Sequence, residues 1–158
     1  RWSSCITNLV YRARLRLCPA SHLLRSLFLN KLANSLLDRF GQHDIMSDLD
    51  EAIELYRAAL LLHPPGHSDQ SSSLNNLANS LRDRFIQCGI MSDLDEAIEL
   101  YRDALLLCPP GHSDQFMSLS NLAVSLGDRF QQCGITADFD EAIKLYRDAL
   151  LLCPPVTN

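Results

Sequence analysis

The sequence predicts an all-α fold, an α-solenoid of stacked antiparallel helical hairpins with about seven helices. Three observations predict it. The 158-residue chain repeats itself at a spacing of 45 residues. Each copy holds two segments whose apolar residues recur every three or four positions, which is the period of a helix with one buried stripe. All seven prolines (Pro19, Pro64, Pro65, Pro109, Pro110, Pro154 and Pro155) fall at copy junctions, where they end helices. No segment alternates apolar and polar residues for long, and β-branched residues are scarce, so strands are excluded. One hairpin cannot bury both of its stripes. Stacking hairpins buries them in a continuous core.

The elements follow in register. Residues 1–18 align with the end of a copy, since Tyr11, Leu15 and Cys18 stand one period before Tyr56, Leu60 and His63. They read as a degenerate second helix in which Thr7 and Arg14 replace two alanines, so poor packing is expected there. Full copies run 19–63, 64–108 and 109–153, with a tail at 154–158, in one continuous repeat domain. The second and third copies agree at 35 of 45 positions. The length reads as a slice of a longer array.

In copy two, the first stripe is Leu74, Leu77, Ala78, Leu81 and Phe85. Ser68 is placed to cap that helix, with Asp69 at the positive end of its dipole. Gly89 lets the chain turn. The second stripe is Leu94, Ala97, Ile98, Tyr101, Ala104, Leu105 and Cys108, and Asp93 with Glu96 has capping-box spacing.

The run from Asp95 to Leu105, with Ala97, Tyr101 and Ala104 followed by Pro109, resembles the second helix of a tetratricopeptide repeat. The same set recurs as Ala52, Tyr56, Ala59, Pro64 and as Ala142, Tyr146, Ala149, Pro154. Leu74-Asn75-Asn76-Leu77-Ala78 is similar to the first helix of the long-repeat variant in kinesin light chains. The near-identical copies and PPGH linkers look like large fungal arrays that accompany caspase-like CHAT or NTPase domains. The standard unit is about 34 residues. The alignment places about seven extra residues between the helices around 84–93, and about four between copies around 110–118.

The net charge of −5 argues against nucleic-acid binding. No apolar run approaches the roughly 20 residues of a membrane span. Arg1, Arg12, Arg14, Arg16 and Arg25 precede the first acid, Asp38, as in a transit peptide, but the segment keeps the repeat's phase. Five of the six cysteines recur at fixed positions: Cys18, Cys108 and Cys153 share one with His63, and Cys88 and Cys133 share another with His43. Equivalent residues of stacked hairpins lie about 10 Å apart, beyond the roughly 7 Å a disulfide allows. They are expected to be reduced, half-buried fillers, which points to the cytoplasm. His22, His67 and His112 read as turn residues. Asp38-Arg39-Phe40 and its counterparts read as an ion pair tying hairpins together plus a core aromatic. No metal-ligand spacing, P-loop, dinucleotide fingerprint or nucleophile elbow occurs, so neither an enzyme nor a cofactor is expected.

The residues opposite the first stripe are expected to face out. They are Asn30, Asn34, Leu37 and Asp38, then Asn75, Asn79, Arg82 and Asp83, then Ser120, Val124, Gly127 and Asp128. In a stack of hairpins the first helices line the concave face. An asparagine amide both donates and accepts, so Asn30, Asn34, Asn75 and Asn79 suit the backbone of an extended peptide. Kinesin-light-chain-like arrays carry such asparagine ladders, and the resemblance implies the same use here. The expected site is Asn30, Asn34, Asn75, Asn79, Arg82, Ser120 and Val124. The expected function is a scaffold or adaptor that binds a peptide or partner protein. The alternative is an architectural spacer or oligomerisation surface in a larger signalling protein, with self-association through uncapped terminal repeats.

Overall fold

The computed structural model describes residues 3–19, 23–63, 69–108 and 113–152. Among them the chain is all-helical, with no strand. It runs α1 (Ser3–Leu17), α2 (Leu23–His43), α3 (Met46–Leu61), α4 (Gln70–Cys88), α5 (Met91–Leu107), α6 (Ser113–Cys133) and α7 (Thr136–Leu152). Adjacent helices pack in pairs, as an α-solenoid requires. None of the described helices is long and apolar enough to cross a membrane. The chain divides into two compact units, Arg1–Ser80 and Leu81–Asn158.

Every hairpin turns in two residues: Asp44-Ile45, Gly89-Ile90 and Gly134-Ile135. The first residue of each pair is left-handed, with φ of 53°, 70° and 68°. Its amide donates to the carbonyl four residues back, at Phe40, Phe85 or Phe130, each at 2.7 Å. This is a left-handed C-terminal cap, for which glycine is the natural residue. The turn at Gly89 is therefore as expected. The expected insertion between the helices is not: the extra residues lengthen the first helix of each hairpin. The reason lies in Arg84 and Phe85, which must stay helical for Arg84 to reach Asp93 and for Phe85 to join the core.

The capping-box reading of the second helices is also corrected. Ile45 and Ile90 occupy the N-cap positions and make no side-chain cap bond. The retained acids Asp48, Asp93 and Asp138 are buried and hold arginines instead. Arg39 donates to both oxygens of Asp48. Arg84 reaches Asp93 at 2.7 and 2.9 Å, and Arg129 reaches Asp138 at 2.7 and 2.8 Å. Each is a two-pronged clamp across the hairpin's closed end. Ser68 and the recurrent His22, His67 and His112 lie outside the described residues.

In the first unit, α2 and α3 are antiparallel, because Arg39 meets Asp48 while Asn34 meets Tyr56. Leu32, Leu36, Leu49, Ile53 and Tyr56 are fully buried between neighbouring helices. Each such side chain contributes about 1.5–3 kcal/mol. Ala52 and Ala59 allow close approach of the backbones. α1 folds on α2 despite its worn sequence. Arg25 of α2 donates to the Leu15 and Cys18 carbonyls at the end of α1, both at 3.0 Å, satisfying groups a helix end leaves unpaired. Arg14 lies over the Phe28 ring, 5.5 Å from its centroid. Asn8 stands where later copies have Ile53, Ile98 and Ile143. It is buried, and neither amide atom has a hydrogen-bond partner. Poor packing is expected at Thr7 and Arg14, but the buried group without partners in α1 is Asn8.

In the second unit, Arg129 also reaches back to Asp95 of α5 at 3.0 Å, so it ties its own hairpin and the preceding helix. The expectation that the arginine links hairpins holds for Arg129, through acids other than the adjacent Asp128. Arg102 of α5 meets Glu141 of α7 at 2.9 Å. The same pairing, 39 residues apart, joins Arg12 of α1 to Glu51 of α3 at 2.6 Å in the first unit. Within each unit, the second helices of successive copies are thus in contact.

Candidate interaction surface

The expected surface residues divide into those held by the fold and those left open. In the first unit, Asn30 is half-buried and donates through Nδ2 to Ser73 Oγ at 3.1 Å, which ties α2 to α4. Its Oδ1 is buried without a partner. Asn34 is exposed, yet its Oδ1 accepts the hydroxyl proton of the fully buried Tyr56. Burial and the nearby Asp38 charge push the Tyr56 phenol above its ordinary value, so it remains a donor. Asn75 is only 8% exposed, which corrects the expectation that it faces solvent. Ser73, which α2 approaches through the Asn30 bond, lies about 200° around α4 from Asn75, so both sides of this helix are buried. Asn79 is half-buried. The asparagines of this unit thus belong largely to the packing of the helices.

In the second unit, Arg82 of α4 pairs with Asp128 of α6 at 2.8 Å, both half-exposed. Burial raises the Asp83 carboxyl above its ordinary value, and the Arg82 charge opposes that shift. Burial likewise raises the Tyr101 phenol. Ser120 and Val124 are half-exposed on α6. Beside them lie Phe116, 41% exposed, and Met117, 56% exposed, which sequence reasoning passed over. Gly127 interrupts the same helix, and a Cβ added there would meet nothing within 4 Å. Packing therefore does not require a glycine, although glycine weakens a helix interior by about 1 kcal/mol relative to alanine.

A signal for this surface was present in the copies. Along their first helices, copies two and three differ at Ser71/Phe116, Ser72/Met117, Asn75/Ser120, Asn79/Val124, Arg82/Gly127 and Ile86/Gln131. At about 100° per residue these positions fall within one stripe roughly 100° wide. On α6 every member of the stripe is exposed or half-exposed.

Among the described residues, Cys5, Cys18, Cys88, Cys108 and Cys133 form no disulfide, and Cys153 lies outside them. Cys108 is buried and Cys18 half-buried, as the filler reading expects. Cys88 and Cys133 are exposed, because they end α4 and α6 beyond the last core turn. Among the described residues no group of three His, Cys, Asp or Glu side chains is placed to hold a metal ion. No family model matches the chain, and comparison with curated proteins finds no match.

Proposed function

We propose that this chain is a protein-interaction module of tetratricopeptide type, a non-catalytic cytoplasmic scaffold or adaptor. It binds an extended peptide or a partner's surface along the first helices of its hairpins. One observation carries the reading: the first-helix differences between near-identical copies collect on one stripe, and on α6 that stripe is open. The core stripe of the first helices and the arginine clamps stay the same. Packing explains what is retained, and recognition explains a change of first-helix chemistry confined to one stripe, which on α6 faces outward.

The chemistry of that face defines the ligand. On α6, Phe116 and Met117 lie exposed at the start of the stripe, Val124 and Gly127 follow about two to three turns on, and the Arg82–Asp128 pair stands next to Gly127. Apolar side chains of a peptide suit Phe116, Met117 and Val124, and the ion pair and Ser120 offer partners to its backbone. The test is selection from a displayed library of extended peptides, followed by affinity measurement on variants. Met117→Glu and Val124→Glu are expected to weaken selected peptides at least tenfold, while Asp103→Ala on the exposed side of α5 leaves them unchanged. Equal loss in all three, or selected peptides indifferent to both glutamates, overturns the reading.

A further inference from the structure

The outer face of α7 is uncovered where the same face of α5 is buried. Leu94, Ile98 and Tyr101 of α5 are each 0% exposed. Their equivalents one period on, Phe139, Ile143 and Tyr146, are 49%, 36% and 43% exposed, and Leu150 beside them is 71% exposed. At 100° per residue, Phe139, Ile143, Tyr146 and Leu150 lie within about 60° of one another. Phe139 touches Phe130 of its own hairpin, with centroids 5.1 Å apart, and this leaves half of it open.

The charges beside this face are uncovered too. In α5, Asp95 pairs with Arg129 and Arg102 with Glu141. The equivalents on α7 are Asp140 and Arg147. Both are exposed, and neither has an ion-pair partner among the described residues. They are seven residues apart, two turns, on the same flank of the apolar face. An acid near the start of a helix and a base near its end, on one flank, are complementary to their own copy in antiparallel orientation.

We infer that α7 is a self-association surface, on which a second copy of this chain docks its own α7 antiparallel about a two-fold axis near Ile143. In that arrangement Asp140 of each copy meets Arg147 of the other. Two ion pairs then flank a core of Phe139, Ile143, Tyr146 and Leu150. The contact is isologous and closes as a dimer. On α5 the equivalent flank is held by Arg129 of α6 and Glu141 of α7, and the α7 contact stands apart from the peptide-binding reading of α6.

Sedimentation equilibrium on the full chain tests this. The chain is expected to dimerise and go no further. Asp140→Arg alone places like charges together and is expected to raise the dissociation constant at least tenfold, as is Arg147→Asp alone. The double swap, Asp140→Arg with Arg147→Asp, restores complementarity in a two-fold pair and is expected to return the constant to within about threefold of the parent. Ile143→Glu is expected to give monomer with unchanged helicity by circular dichroism. A monomer at 100-fold the concentration of the assay's midpoint range, oligomers that keep growing with concentration, or a double swap no better than the single variants overturns the inference. A dimer that survives Ile143→Glu overturns it as well.

Discussion

Asn34 separates a structural ladder from a ligand-binding one, and its effect on stability is calculable. Its side chain accepts the hydroxyl of Tyr56, which is fully buried, while Asn34 itself is exposed. Removing the acceptor strands a buried donor, at a cost of about 1–3 kcal/mol. Solvent reaches the Asn34 end, which places the cost at the lower limit, near 1 kcal/mol. Alanine recovers about 0.5 kcal/mol in helix propensity, so Asn34→Ala is expected to destabilise by about 0.5–1 kcal/mol. Tyr56→Phe removes the donor and lets the amide turn to water, costing about 1 kcal/mol. In the Tyr56→Phe background, Asn34→Ala has only its propensity gain left and is expected to stabilise by about 0.5 kcal/mol. The sign of one substitution therefore reverses with its partner, a coupling of about 1–1.5 kcal/mol. Urea denaturation of the four proteins measures it. An Asn34→Ala effect equal in both backgrounds, within about 0.3 kcal/mol, refutes the bond and returns Asn34 to the list of ligand contacts.

Three further outcomes are expected. Asn8→Ile replaces a buried amide lacking partners with the residue its slot carries in every later copy, and it is expected to stabilise the chain by about 1–3 kcal/mol by thermal or urea denaturation; no gain contradicts the description of α1. The hydrogen bonds from Arg129 hold the Asp138 carboxyl below its ordinary value, so the stability it contributes is complete above about pH 4 and is lost as pH falls through the lowered value. Asp138→Asn is accordingly expected to cost about 3 kcal/mol at pH 7, with the deficit shrinking in acid; a deficit that grows as pH falls contradicts the clamp. Gly127→Ala enters open space in a helix and is expected to stabilise by about 0.5–1 kcal/mol in melting experiments while weakening selected peptides, a combination that a purely structural glycine does not give.

The helices were legible because period and punctuation agree. Leu94, Ala97, Ile98, Tyr101 and Ala104 read as a stripe and are fully buried. The described helices α3 and α5 end at Leu61 and Leu107, before the proline pairs that the sequence carries at 64–65 and 109–110. The length of the first helices was not legible. An alignment to a shorter repeat counts added residues but does not say whether they loop or continue the helix, and the two-residue turns settle that. The role of Asp48, Asp93 and Asp138 was hidden because an acid three residues into a helix suits a cap and a clamp equally well. Only the arginine nine residues earlier in each copy distinguishes them. The surface was half legible. A helical wheel shows which residues oppose one stripe, but not that Asn75 is buried as well, nor that Asn34 answers a buried hydroxyl. Phe116 and Met117 escaped notice because two apolar residues beside a stripe read as part of it.

The account's central claim is that ligands are read by the first helices of the hairpins. Hydrogen–deuterium exchange of the chain with and without a library-selected peptide tests it most directly. Added protection on binding is expected along α6, from Phe116 to Gln131, with α7 and the exposed side of α5 unchanged. Protection centred on α5 or α7 with α6 unaltered contradicts the claim.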